Sequence, residues 1–329
     1  MEDLQSLVDI PRIWERLSRV EERLLESSTA DDAYLTKIAQ HLLLAGGKRF
    51  RPLLALLAAE FGDNTDHRPV EAGVAVELIH VGSLYHDDVI DEADTRRGAS
   101  SANANWTNTV AILSGDFLMA RASEVAATHL SQESVRLLAQ TYAELVEGQT
   151  RELQLTDDVS HSLEDYQQVI GGKTASLIRT SARLGAMAAD AEQPVVEALS
   201  TWAWELGMVF QIADDALDLV ADEETIGKPA GSDIREGTFT GPVLRAVSGP
   251  DGERVTQLLG SGRPYDHATV AEIISLVKEG GHVDAALETA ATRLTIAESA
   301  LQTLPKSEPR EVLERLGAYL LDRVESAQI

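Results

Sequence analysis

Ile79-His80-Val81-Gly82-Ser83-Leu84-Tyr85-His86-Asp87-Asp88-Val89-Ile90-Asp91 closes a long apolar stretch, residues 69–91, on which the reading of the whole chain turns. Apolar residues recur there at spacings of three and four, which predicts a helix. A helix apolar around most of its circumference belongs at the centre of a bundle. This one ends in D-D-x-x-D, at Asp87, Asp88 and Asp91, and the same spacing returns at Asp214, Asp215 and Asp218, closing a second apolar stretch, residues 194–222. Residues four apart share a helix face, so Asp87 is set with Asp91 and Asp214 with Asp218. Two carboxylates a turn apart repel unless a cation lies between them. Mg2+ is commonly held by one or two carboxylates together with substrate phosphates. A single D-x-x-D is ordinarily a solvated helix face. Two matching clusters, each closing a very apolar helix, predict opposed walls of one metal-filled pocket.

Outward from these two segments the pattern stays helical. Candidate helices are 5–27, 31–45, 52–62, 69–91, 103–129, 131–155, 162–169, 173–190, 194–222, 241–247, 252–260, 267–280, 282–303 and 308–326. Gly46-Gly47, Gly62-Asp63-Asn64, Gly98, Gly171-Gly172, Gly227-Lys228-Pro229 and Gly260-Ser261-Gly262 punctuate them. No alternating pattern is long enough to build a sheet, and no Gly, Ser or Pro linker divides the chain. The expectation is one all-α domain over residues 1–329.

Composition narrows the function. Lys and Arg total 28 against 54 for Asp and Glu, a formal charge of −26, which argues against nucleic acid or an anionic membrane as partner. The absence of cysteine excludes disulfides, zinc–thiolate sites, iron–sulfur clusters and thiol nucleophiles. Met1-Glu2-Asp3-Leu4 lacks the basic start of a secretory signal, and no uncharged run reaches the length of a membrane span. A cytoplasmic protein is the expectation.

In so acidic a chain the clustered cations carry information. Gly46-Gly47-Lys48-Arg49-Phe50-Arg51-Pro52 sets three cations in four positions beside glycines that admit a ligand to the backbone. Arg96-Arg97-Gly98 follows the first aspartate cluster. Gly171-Gly172 precedes Lys173-Thr174 at an expected helix start, where backbone N–H groups favour an anion. Lys228 lies in the loop after the second cluster. Arg and Lys are the usual partners of phosphate oxygens. One such run is ordinarily a solvated patch, but cations repeatedly placed beside carboxylates and glycines point to a metal-bound polyphosphate.

These elements together resemble the trans-isoprenyl diphosphate synthases of the polyprenyl synthetase family, medium- and long-chain type, from about residue 35 to about residue 245. The resemblance is carried by the G-G-K-R-x-R-P segment at 46–52, the first aspartate motif with its Arg-Arg-Gly tail at 87–98, and Gly148-Gln149-Thr150-Arg151-Glu152-Leu153. Lys173-Thr174, the second motif from Phe210-Gln211 to Asp218, Gly227-Lys228 and Gly231-Ser232-Asp233 complete it. It implies an all-α bundle of the isoprenoid synthase type with a central active-site cavity, Mg2+ as cofactor and a homodimer. By position, Lys48, Arg51, His80 and Arg97 match the binders of isopentenyl diphosphate. Arg96, Lys173, Thr174 and Gln211 match contacts to the allylic diphosphate, with Lys228 also serving it. Asp87, Asp91 and Asp214 match the principal Mg2+ ligands, supported by Asp88, Asp215 and Asp218; these six aspartates and Lys173 form the expected catalytic set. His80 also fits a satisfied core histidine, but it lies two helical turns before Asp87 on nearly the same face.

The resemblance implies metal-assisted ionisation of an allylic prenyl diphosphate, attack by the double bond of isopentenyl diphosphate, and loss of a proton to the departing diphosphate. Gly82 and Ser83, five and four residues before the first motif, would leave the path of the growing chain open and predict a medium- or long-chain product. They equally fit close helix packing. At Glu236-Gly237-Thr238 the chain departs from the family, which often has a Gly-Lys pair there. Alternatives are a geranylgeranyl-type short-chain synthase, a class I terpene cyclase and a non-catalytic synthase subunit. Lys48, Arg51 and Arg97 argue against the cyclase, and the two intact aspartate motifs against the silent subunit.

Overall fold

The structure, a computed structural model, describes residues 2–221 and 229–327; Lys228 lies outside them. The all-α expectation holds. In chain order the helices are α1 (Glu2–Leu7), α2 (Pro11–Ser27), α3 (Ala33–Ala39), α4 (His41–Leu44), α5 (Phe50–Ala59), α6 (Arg68–Ile90), α7 (Ala102–Asn105), α8 (Asn108–His129), α9 (Gln132–Leu155), α10 (Leu163–Ile170), α11 (Ser176–Ala188) and α12 (Gln193–Val220). After the segment outside the described residues come α13 (Ser232–Glu236), α14 (Gly241–Val247), α15 (Gly252–Leu259), α16 (His267–Glu279), α17 (His282–Leu301) and α18 (Glu308–Ala327). Among the described residues no helix is long and apolar enough to cross a membrane.

Where the structure breaks an expected helix, a local cause is visible. Residues 5–27 form two helices because Pro11 holds Ile10 extended, at φ −104° and ψ 99°. Residues 31–45 divide at Gln40, and 103–129 divides at Trp106. Thr107 then caps α8 by accepting the Val110 N–H at 3.2 Å. Between α6 and α7 lies a two-residue antiparallel pair, β1 (Thr95–Arg96) with β2 (Ala99–Ser100), in the register Thr95 to Ser100 and Arg96 to Ala99. Arg97 and Gly98 turn it with φ of 55° and 75°, the left-handed pair that a tight hairpin demands.

The chain packs as two compact units. The first comprises Met1–Tyr142, Leu177–Ser200 and Leu304–Val312. Its centre is α6, packed against α2, α5 and α8, and buried almost continuously from Pro69 to Ile79 as its apolar sequence predicts. Leu53, Leu54, Leu56 and Leu57 of α5 are fully buried, each stabilising by roughly 1.5–3 kcal/mol. The helices approach closely at glycines. A Cβ on Gly82 would lie 3.1 Å from the Gly115 carbonyl of α8, and one on Gly185 would lie 1.9 Å from the Ala55 carbonyl of α5.

The second unit comprises Ala143–Ser176, Thr201–Thr303 and Leu313–Ile329. Here α14 packs on α17 and α15 on α16, and Ser162 opens α10 with a reciprocal capping box to Asp165. The chain does not stop at Gly171-Gly172. A π-helical turn, Gly171–Ala175, carries α10 straight into α11. The expected helix start at Lys173 is therefore absent, and its N–H groups form no anion site. The glycines serve packing instead, since a Cβ on Gly172 would meet the Glu144 carbonyl at 3.0 Å and one on Gly148 would meet Lys173 N at 2.6 Å. Single π-turns inside α-helices recur at functional positions because they re-aim side chains.

Candidate active site

In the first unit α6 delivers the first aspartate cluster at its C-terminal end. Asp91 is the C-cap, and its N–H returns to the Asp87 carbonyl at 2.8 Å. Asp87 is half-buried and Asp91 exposed. They lie one turn apart at the end where the helix dipole is already negative, so dipole and mutual repulsion both favour a bound cation. Asp88 points elsewhere. It is 0% exposed, and its Oδ1 accepts from Arg96 Nε at 2.6 Å while its Oδ2 is buried without a hydrogen-bond partner. Burial raises the Asp88 carboxyl above its ordinary pKa, opposed by the charge and hydrogen bond of Arg96. Asp88 is thus the anchor of Arg96.

The three cations of 48–51 separate. Lys48 is exposed. Arg49 adopts the left-handed conformation at the N-cap of α5, with φ 47° and ψ 39°, and turns inward. Its Nε and Nη2 donate to Glu21 at 2.7 and 3.0 Å, Nη1 to Glu77 at 3.0 Å, and Nη2 also to the Leu43 carbonyl at 2.8 Å. Arg97 donates Nη1 to the carbonyls of Leu42 at 3.0 Å and Gly46 at 2.5 Å, with its Nη2 3.8 Å from Glu77. A Cβ on Gly47 would lie 3.0 Å from Arg97 Cζ, so only glycine admits that guanidinium against the loop.

Arg51 Nε is buried with no hydrogen-bond partner. Burial pushes the Arg51 guanidinium down to about 10, with Glu77 opposing and Arg97 adding, so it stays cationic at neutral pH. His80 is half-buried. Burial, and then the charges of Arg51, Arg97, Arg49 and Arg96, push its imidazole well below the ordinary value. The ring is neutral, one nitrogen donating and the other accepting. Three guanidinium groups share Glu77 and the half-exposed Glu21, and a buried donor lacks an acceptor. Such a pocket suits an anion with several oxygens, such as a diphosphate.

Gly82 faces α8, with Met119 Cε 3.0 Å and Leu118 Cβ 3.4 Å from where its Cβ would be. Ser83 is buried, and its hydroxyl donates to the His80 carbonyl at 2.9 Å. The space beside Gly82 is filled by a neighbouring helix, which is what close packing requires of it.

In the second unit α12 carries the other cluster. Asp214 is exposed. Asp215 is 3% exposed, with Oδ2 accepting from the Tyr166 hydroxyl at 2.5 Å and Oδ1 from Gln211 Nε2 at 2.8 Å. Gln211 Oε1 in turn accepts from Thr174 Oγ1 at 2.7 Å. Burial and the neighbouring Asp233 charge raise the Asp215 carboxyl well above its ordinary value, against those two hydrogen bonds. Asp218 does not simply repeat Asp214 a turn later. It is buried, its Oδ2 accepts the Asp233 N–H at 3.3 Å and its backbone carbonyl accepts the Gly231 N–H at 2.8 Å. Lys173, on the π-turn, donates to Glu152, which also accepts from Gln149 Nε2 at 3.0 Å. Thr238 lines a small cavity with Glu152, His161 and Tyr166, between the partner of Lys173 and the partner of Asp215. A larger groove of about 820 Å³ in this unit, lined by Glu147, Arg151, Gln168, Trp204 and Arg293 among others, contains none of the expected site residues.

Among the described residues no group of three His, Asp or Glu side chains forms a ready-made metal cage. The oxygen donors Asp87 and Asp91 in the first unit, and Asp214 in the second, are each of the kind that Mg2+ takes together with water and substrate phosphate. Sequence reasoning missed Glu21, Glu77 and Tyr166, and it quoted Glu152 in a motif without giving it a role. A signal for one of them was present: a charged residue inside an apolar helix must find a partner. Both interior glutamates of α6 do, Glu71 with Arg23 at 2.8 Å and Glu77 with Arg49.

Comparison with known proteins gives the family. Residues 32–277 match the polyprenyl synthetase family. The chain is 41% identical to nonaprenyl diphosphate synthase of Mycobacterium tuberculosis, over 98% of this chain and 96% of the relative. A crystal structure of polyprenyl synthase from Caulobacter crescentus, complexed with calcium and isoprenyl diphosphate, superposes with a TM-score of 0.89 at 34% identity. That match covers 98% of this chain and 97% of the other. Geranylgeranyl pyrophosphate synthase from Corynebacterium glutamicum, also complexed with calcium and isoprenyl diphosphate, gives a TM-score of 0.85 at 40% identity, covering 95% and 96%. With the family matched over residues 32–277 and a relative 41% identical along almost its whole length, the chain belongs to the polyprenyl synthetase family.

Proposed function

We propose that the protein is a Mg2+-dependent trans-prenyltransferase that condenses isopentenyl diphosphate with an allylic prenyl diphosphate, residues 1–329 acting as one polyprenyl synthetase domain. The observation that carries this is the cation pocket of the first unit, where Arg51 keeps a buried donor without an acceptor beside Arg97 and a neutral His80. Lys48, Arg51, His80 and Arg97 hold the isopentenyl diphosphate. Arg96, oriented by Asp88, joins Lys173, Thr174 and Gln211 on the allylic diphosphate; Lys228 is assigned there by position alone. Asp87, Asp91 and Asp214 would hold the metal, while Asp88, Asp215 and Asp218 would orient what surrounds it. Mg2+ held there would supply positive charge to the diphosphate leaving group. Binding both substrates in register sets the double bond of isopentenyl diphosphate against the allylic carbon.

The product assigned is a medium- or long-chain all-trans polyprenyl diphosphate, supported by the likeness to a nonaprenyl diphosphate synthase. A shorter, geranylgeranyl-type product is the second reading. The packing of Gly82 against α8 favours it, because that packing accounts for the glycine without an open path for the chain. A cytoplasmic homodimer belongs to the same proposal. α8 leaves Leu113 59% exposed beside an exposed Ile112, apolar surface of the kind that a second copy buries.

The test is incubation with Mg2+, labelled isopentenyl diphosphate and allylic primers of several lengths, followed by chromatography. Elongation to products longer than geranylgeranyl is expected. Products that stop at geranylgeranyl establish the second reading, and no elongation with any primer overturns both.

A further inference from the structure

We propose that Glu77, with Glu21 behind it, is the positioning carboxylate of the isopentenyl diphosphate pocket. It acts on the substrate through Arg49 and Arg97 rather than by contact. The inference rests on the assignment of Lys48, Arg51, His80 and Arg97 to that pocket.

Glu77 is 1% exposed, in the middle of the apolar helix α6. A carboxylate there is costly unless it is paired. One of its oxygens, Oε1, takes Arg49 Nη1 at 3.0 Å and lies 3.8 Å from Arg97 Nη2. Arg49 cannot swing away, because Glu21 grips its other edge through Nε and Nη2 while Leu43 adds a carbonyl. Arg97 is held from the opposite side by the carbonyls of Leu42 and Gly46. Arg49 is thus enclosed by protein acceptors and is itself only 4% exposed, so it serves as a strut. The left-handed backbone at Arg49, which aims it inward while Lys48 stays exposed, is what separates strut from ligand. The positive charge left over belongs to Arg51 and Arg97, set in place before substrate arrives. Such preorganisation strengthens a charge-assisted contact without a reordering cost.

Glu77→Asp keeps the charge and withdraws it by one methylene from both guanidinium groups. The expected result is a KM for isopentenyl diphosphate raised about tenfold, the loss of most of one charge-assisted hydrogen bond, with kcat and the allylic KM within about twofold. In the Arg97→Ala background the same substitution adds little further, because the shared partner is gone. An unchanged KM for isopentenyl diphosphate in folded Glu77→Asp, or full additivity with Arg97→Ala, overturns the proposal. If Glu77→Asp does not fold, Glu21→Gln carries the test from a half-exposed position. A rise of about threefold in the same KM, the scale of a half-exposed ion pair, supports the proposal, and no change overturns it. Arg51→Ala separates the underlying assignment. If that variant raises the allylic KM and leaves the isopentenyl one alone, the pocket assignment fails, whatever Glu77 does.

Discussion

Asp88 and Asp215 hold the second position of their motifs, and both turn away from it into hydrogen bonds that orient a neighbour. Asp88 fixes Arg96, while Asp215 is fixed by Tyr166 and Gln211. Tyr166→Phe deletes one hydrogen bond to a buried carboxylate, worth about 1.5–3 kcal/mol. The expected outcome is a lower melting temperature and a higher Mg2+ concentration for half-maximal activity, read from a metal titration of the rate. His80 makes a pH prediction. Its pKa is depressed in the fold, whereas the unfolded chain takes up a proton near about 6.5. The unfolded state therefore binds more protons below that value, and stability falls as the pH drops from 7 to 5. Urea midpoints at the two pH values should differ less in His80→Asn than in the parent chain. Asp88 and Asp215 were legible as residues of interest from spacing, and His80 from the family resemblance. Their partners were not, because Tyr166 lies 49 residues from Asp215 and no local pattern links them.

Among elements, the glycines separate by what surrounds them. Gly185 sits where α11 meets α5, and a Cβ there would lie 1.9 Å from a backbone carbonyl that cannot rotate away. Gly185→Ala is expected to destabilise by about 1–3 kcal/mol or more through overpacking, seen as a lower denaturant midpoint with the slope unchanged. Gly98→Ala, at φ 75° with nothing within 4 Å, costs only the left-handed backbone, about 1 kcal/mol. Gly171-Gly172 shows why local rules mislead. Two adjacent glycines predict a break, since each weakens a helix by up to about 1 kcal/mol against alanine. Here the close approach of α9 at Gly148 requires Gly172, Gly171 lies against Trp204 of α12, and the helix continues through a π-turn. The breaks at Ile10 and Gln40 were missed for a similar reason: the hydrophobic period runs across them.

At the scale of the molecule, the expected Mg2+ requirement and the product length are the measurable consequences. EDTA should abolish elongation, and added Mg2+ should restore it, because the aspartate motifs proposed to hold the metal offer the oxygen donors that Mg2+ takes. Ser83→Phe should shorten the longest product, whereas Gly82→Phe should lower the melting temperature first, since Gly115 and Met119 already occupy its side of the helix. Chromatography of products and a thermal melt distinguish the two. The helical class, the two aspartate motifs and the cations that accompany them could be read from the chain alone. Those follow from period, spacing and charge, which are properties of neighbouring residues. Only the tertiary structure decided which member of each cluster faces outward, which arginine is a strut, and that α10 runs on past its glycines. Those outcomes depend on pairings such as Arg49 with Glu77 and Tyr166 with Asp215, made between segments far apart in the chain. Burial makes such partners obligatory, and the chain order does not name them.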